Sequence, residues 1–120
     1  MEKKIKIGMP VPLTSSYGIE AHEQVRCAQL VVDEFNDSGG LNGRAAELVV
    51  RDTKHDADLT RRMTVDLLEK EKVDFVAGAL SGADMVTIAK LCTEQKVVYN
   101  GLSIGDSVVS IENRSKYVFH

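Results

Sequence analysis

Tryptophan is absent from this 120-residue sequence, and phenylalanine and tyrosine occur three times each, proline and cysteine twice each, and histidine three times. These shortages exclude several classes of function. Lys and Arg number 15 against 18 Asp and Glu, a formal net charge of -3 with the signs mixed and no basic stripe. Nucleic-acid binding therefore lacks its electrostatic footing. No apolar run approaches the roughly 20 residues that a membrane helix requires. Cys27 and Cys92 stand far apart, outside the C-x-x-C spacing of a redox or zinc site. His22, His55 and His120 are equally scattered, so neither a metal nor a cofactor is expected. A lone cysteine on an apolar helix face packs into the core, and both thiols are expected to point inward, with the sheet between them. The start, Met1-Glu2-Lys3-Lys4, leads straight into an apolar strand pattern without the long apolar region of a signal peptide. Either the protein is cytoplasmic or a signal segment has been removed.

What the chain does have is aliphatic mass: 43% of residues are hydrophobic, mostly Val, Leu, Ile and Ala. That mixture suits a buried parallel sheet flanked by helices. Residues 4–9 read as a first strand, followed by a loop through Pro10, Pro12, Thr14 and Gly18. Over residues 19–37 the period becomes 3.6, with Ala21, Val25, Ala28, Val31 or Val32, and Phe35 on one face. Gly39-Gly40 ends that helix. Residues 46–51 form a second strand, and Asp56 or Asp58 caps a second helix running to about Lys70, with Leu59, Met63, Val65 or Asp66, and Leu67 along it. Residues 73–78 are a third strand, residues 82–94 a third helix with Met85, Ile88, Ala89 and Cys92 inward, and residues 96–99 a fourth strand. A polar loop over residues 100–115 precedes a fifth strand at 117–119. Strands alternating with helices mean right-handed βαβ units. The expected fold is α/β: a three-layer, doubly wound, flavodoxin-like parallel sheet of order 2-1-3-4-5, whose ligands bind beyond the carboxyl ends of the strands.

Three loops leave those ends, rich in Ser, Thr, Gly and Asn. They lack a nucleophile-base pair, a paired carboxylate or a metal set, so no enzymatic activity is expected. Ser81 and Asp84 resemble a capping box at the start of the third helix. One reading is a helix cap alone. The other uses the same physics: the open N–H groups of Gly82 and Ala83, at the positive helix end, can receive a carboxylate. Ser103, Ile104 and Gly105 follow the fourth strand, either as an ordinary crossover or as a second pocket wall. Tyr17 can stack on a ligand or staple the first helix, and Asp52 is a turn former. Enzymes of this architecture fail specific tests. The first loop, M-P-V-P-L-T-S-S-Y-G, is not a G-x-G-x-x-G dinucleotide fingerprint or a P-loop. The acidic residues of a phosphoryl-accepting receiver domain are missing too, since Met9-Pro10 and Gly78-Ala79 stand at those strand ends.

Taken together, these motifs resemble the type I periplasmic solute-binding proteins of branched-chain amino acid ABC transporters. The strongest part is D-E-F-N-D-S-G-G-L-N-G-R at residues 33–44, where Asn36, Gly39, Gly40, Asn42 and Gly43 fit the family pattern. V-V-R-D-T-K-H-D-A, P-L-T-S-S-Y-G, V-D-F-V-A-G-A-L-S-G and the closing Y-V-F-H fit along the rest of the chain. The resemblance implies an N-terminal ligand-binding lobe occupying residues 1–120 as a single domain, with the second lobe outside this chain. It implies a small amino acid or other carboxylate as ligand, held by Ser81, Gly82 and Ala83 and by Ser103, Ile104 and Gly105, beside the candidate third wall at Tyr17. It also implies a membrane permease as partner in the full-length form, and a periplasmic or extracellular location. The alternative is the ligand-sensing lobe of a related receptor or amide-responsive regulator. Departures from the pattern are a shorter first loop, Cys27 where the family often has Gly, no Pro near Ala79, and Gly82 where many members have Ser. With no helix following the fifth strand, apolar side chains such as Val97, Tyr99 or Val118 are expected to be partly uncovered, and the chain is expected to form a homodimer.

Overall fold

Local sequence signals convert directly into elements in the computed structural model, which describes residues 3–103 and 114–120. The order is β1 (Ile5–Val11), α1 (Gly18–Asp37), β2 (Ala46–Asp52), α2 (Ala57–Val65) continuing as a π turn (Asp66–Lys70), β3 (Phe75–Gly78), α3 (Gly82–Gln95), β4 (Val98–Gly101) and β5 (Val118–Phe119). Every strand pairing is parallel, and the sheet order is β2-β1-β3-β4-β5. This is the α/β, doubly wound arrangement expected from the alternating periods. β1 ends level with β2, Val11 opposite Asp52, and β3 ends level with β4, Gly78 opposite Gly101. The carboxyl ends of the strands thus form one edge.

Strand alternation divides the core in two. Met9 and Val11 pack under Ala21 of α1 on one face, while Leu67, Val76, Met85, Ile88, Cys92 and Tyr99 pack together on the other. Gly8 permits the π turn to lie close to the sheet, since a Cβ there would come within 3.2 Å of Leu67 Cδ1. The extra residue in that turn lets the consecutive Leu67 and Leu68 both be buried. Arg51 locks the turn to β2 through Asp66 at 3.2 Å and Glu71 at 2.9 Å, and Lys6 of β1 reaches Glu71 at 3.3 Å.

Several expectations need correction. β3 and β4 each start two residues later than the pattern suggested. Lys72 and Lys96 are left-handed, with φ of 52° and 58°, and Lys96 is the α3 cap, its neighbour Val97 still donating to Cys92 O at 2.9 Å. α2 buries Thr60 and Thr64 rather than Leu59 and Met63. Their hydroxyls donate to the helix's own carbonyls, Asp56 O at 2.8 Å and Thr60 O at 2.7 Å, so threonine packs there as an apolar residue. On α1 it is Val32 that turns inward, and Val31 is 63% exposed. Cys27 is exposed rather than inward, while Cys92 is buried on the other face of the sheet.

The uncovered residues are also different ones. Tyr99 and Val118 are buried, because they share the α3 face, and Val97 is half-buried. By the two-residue alternation, Phe75, Leu102 and Phe119 point the opposite way and stand 46%, 43% and 56% exposed. Beside α1 on that face lies an apolar groove of about 760 Å³, lined by Ile7, Ile19, Val31, Ala77, Leu80 and Leu102.

Candidate functional site

The carboxyl edge of the sheet is assembled from loops that hydrogen-bond across strand boundaries. After β1, Ser15 Oγ donates to Pro12 O at 2.8 Å and accepts from Tyr17 N at 3.0 Å, a self-closed turn that delivers the chain into α1. Asp52, at the end of β2, ties this loop to its own. Its carboxylate accepts from the Thr14 hydroxyl at 2.6 Å, from Thr14 N at 3.2 Å and from Lys54 N at 2.9 Å. Partial burial raises its pKa, but these hydrogen bonds outweigh that and hold the carboxyl below its usual value. Asp52 is therefore a turn former, as expected.

After β3, Gly78 O accepts from the buried Tyr99 hydroxyl at 2.9 Å and from Leu102 N at 3.3 Å, which pins the β3 and β4 exits together. Burial pushes the Tyr99 phenol well above its ordinary pKa, so it stays a donor. Gln24 of α1 donates to Ala79 O at 3.4 Å and steadies the same loop from the other side. Ser81 then caps α3, its Oγ accepting from Asp84 N at 3.1 Å. The reciprocal half of a capping box is not made. Asp84 is 6% exposed and directs its carboxylate to His55 Nδ1 at 3.0 Å; the Thr60 hydroxyl, whose proton goes to Asp56 O, lies 3.4 Å away. Helix geometry leaves the N–H groups of Gly82 and Ala83 without an intrahelical acceptor, and Ala83 is exposed.

After β4, Ser103 is buried; its N–H reaches Met85 Sδ at 3.2 Å and its carbonyl accepts from the His120 ring. Ile104 and Gly105, the remaining residues of the expected third wall, lie outside the described residues. The structure thus places Tyr17, Ser81, Gly82, Ala83 and Ser103 in the loops after β1, β3 and β4, along one edge. Tyr17 is 41% exposed, and its ring packs edge-on against His55 at 5.1 Å between centroids. His55 and Asp84 join the loops after β2 and β3, and neither stood out as a site residue in the sequence. The signal available was a histidine three residues past the end of the second strand. Among the described residues there is no group of three or more His, Cys, Asp or Glu side chains able to hold a metal, and no helix long and apolar enough to cross a membrane.

An apolar parallel sheet with a polar carboxyl edge is shared by many α/β families, and the sequence decides among them. The sequence profile of the family described as periplasmic binding protein matches residues 4–120. The chain belongs to the periplasmic binding protein family. No curated protein matches it in sequence. Solved structures of periplasmic binding proteins do match in shape. The branched-chain amino acid transporter substrate-binding protein LivJ of Streptococcus pneumoniae, in complex with isoleucine, is 26% identical with a TM-score of 0.88, over 98% of this chain and 33% of that one. The leucine-binding protein LivK of Thermotoga maritima is 23% identical with a TM-score of 0.82, over 95% of this chain and 31% of that one. An ABC-transporter solute-binding protein of Rhodopseudomonas palustris, in complex with 3,4-dihydroxybenzoic acid, is 24% identical with a TM-score of 0.84, over 98% and 31%. This periplasmic binding protein chain therefore spans about a third of the length of the solved structures it matches.

Proposed function

We propose that this chain is the N-terminal lobe of an extracytoplasmic solute-binding protein that serves an ABC transporter. It holds the carboxylate of a small solute, an amino acid or an aromatic acid, at the carboxyl edge of its sheet. The observation carrying this reading is the start of α3: free N–H groups at Gly82 and Ala83, at the positive end of a helix, beside the Ser81 cap. The Tyr17 and Ser103 loops flank them. Matching structures hold isoleucine and 3,4-dihydroxybenzoic acid, both carboxylates. In this reading a second lobe outside the chain supplies the opposite wall of a cleft, and a membrane permease is the partner of the whole protein.

One lobe makes only its own share of the contacts, so binding to this chain alone is weak, on the order of millimolar. Titration of isotope-labelled protein with L-isoleucine and with benzoate should shift the amide resonances of Gly82 and Ala83 first. Ser81→Ala should weaken that binding about threefold to tenfold by loosening the helix start. Gln29→Ala, on the outer side of α1, should leave it unchanged. Equal effects of the two substitutions, or shifts confined to another edge of the sheet, would contradict the placement.

A further inference from the structure

His55 is held more closely than a turn residue requires. It follows β2 at the edge where Tyr17 and Ser81 stand, with a left-handed backbone at φ 57°, a conformation uncommon for residues with a side chain. Its ring is fixed from two directions. Nδ1 lies 3.0 Å from Asp84 Oδ2, a carboxylate that is almost entirely buried, and the Tyr17 ring packs against it at an interplanar angle of 79°.

An ionised carboxylate only accepts hydrogen bonds, so Asp84 keeps the proton on Nδ1. In the neutral ring, Nε2 then carries the lone pair. Among the described residues Nε2 has no hydrogen-bond partner, and the His55 side chain is 38% exposed. The ring is thus anchored at one nitrogen by a buried carboxylate and open to solvent, or to a ligand, at the other. Asp84 also connects this ring to the ligand edge. Its own N–H is the one capped by Ser81, so the imidazole stands within one turn of the open Gly82 and Ala83 N–H groups.

We propose that His55 is a specificity-determining contact of the solute site. Its Nε2 accepts a hydrogen bond from a donor next to the ligand's carboxylate, the ammonium of an α-amino acid or the hydroxyl of a 2-hydroxy acid. Asp84 and Tyr17 are positioning residues that set the ring. The proposal rests on the reading that the carboxylate sits at the start of α3. An acid of the same shape without such a donor gains nothing from His55.

The test uses three acids with one carbon skeleton, L-leucine, (S)-2-hydroxy-4-methylpentanoate and 4-methyl-2-oxopentanoate, together with benzoate. Each is titrated into the wild-type chain, His55→Phe, His55→Leu and Asp84→Asn, with folding checked by amide spectra. The ¹⁵N resonance of His55 Nε2 is followed at about pH 8, and its chemical shift itself reports whether Nε2 carries a proton. The expected result is a wild-type preference of about tenfold for the amino and hydroxy acids over the oxo acid. The Nε2 resonance should move only with the first two. His55→Phe should abolish the preference, and Asp84→Asn should diminish it and broaden the imidazole signals. If Phe is not tolerated at this position, His55→Leu, which also lacks an acceptor, reports the same loss. A preference unchanged in the folded His55 variant, or an unmoved Nε2 resonance at saturating leucine, overturns the proposal. If benzoate binds and the leucine series does not, the carboxylate site stands and the role of His55 falls. If none of the four binds, both fall.

Discussion

At the scale of single residues, the turn between α1 and β2 depends on one glycine far more than on its neighbours. Gly39, Gly40 and Gly43 all have positive φ, at 103°, 67° and 81°. A Cβ at Gly39 or Gly43 would meet nothing within 4 Å, whereas at Gly40 it would stand 2.1 Å from the carbonyl oxygen of Arg44. That oxygen cannot move freely, because it accepts from Leu41 N at 3.0 Å in the bridge that closes the turn. Gly40→Ala should therefore cost roughly 2–4 kcal/mol, and Gly39→Ala, opposed by its positive φ alone, less, about 1–2 kcal/mol. Urea denaturation of the two variants checks this, and equal losses would count against the geometry. Asn36 reinforces the same turn, its side chain donating to Ala46 O at 3.0 Å and accepting from Ala46 N at 2.7 Å. The glycine and asparagine pattern that suggested the family in the sequence is thus a device for starting β2 in register.

At the scale of elements, α1 and α3 treat their cysteines in opposite ways. Cys27 lies on the exposed side of α1, whereas Cys92 is fully buried on α3, where burial pushes its thiol up to about 12. A thiol reagent should label Cys27 in the native protein and reach Cys92 only after denaturation, as followed by mass spectrometry. Rapid native labelling of Cys92 would show that α3 does not pack as described. Elements were legible in the sequence wherever hydrophobic period and polarity agree, as on α3, where Met85, Ile88, Ala89 and Cys92 all turn inward. They were misread where polarity misleads. Thr60 and Thr64 look exposed until their hydroxyls are bonded to the helix backbone, and Lys72 and Lys96 take the left-handed turns that glycine would have announced. The candidate site divides along the same line. Ser81 was visible because capping is local, only three residues from the amide it holds. The His55–Asp84 pair was hidden because its partners are 29 positions apart and meet only when β2 and β3 flank β1.

At the scale of the whole molecule, the sheet is unevenly clothed. α2 and α3 cover one face, but on the other, among the described residues, α1 lies over β1 and β2 while Phe75, Leu102 and Phe119 remain exposed beside an apolar groove. Burying several hundred Å² of such surface releases roughly 25 cal/mol per Å², several kcal/mol before association costs. The 120-residue chain on its own should therefore self-associate, a two-fold pair being the simplest closed form. Sedimentation velocity should report a mass above 13.2 kDa that rises with concentration, and Phe119→Lys should return it toward monomer. A monomer throughout the micromolar range would refute this.

The all-parallel sheet also governs how the chain reaches its native state. Among the described residues no two neighbouring strands meet as a hairpin, because every pairing is parallel and spans an intervening segment. β1 is the axis of the problem. Ile5 must find Ala46, and Ile7 must find Phe75 across two helices, before either side of the strand is satisfied. Loop closure is therefore costly before any sheet hydrogen bond repays it, which places this fold among the slower ones for its size. Until β2 and β3 arrive, β1 is a nascent apolar strand with two open edges, which makes this early interval the time when the chain is most exposed to aggregation.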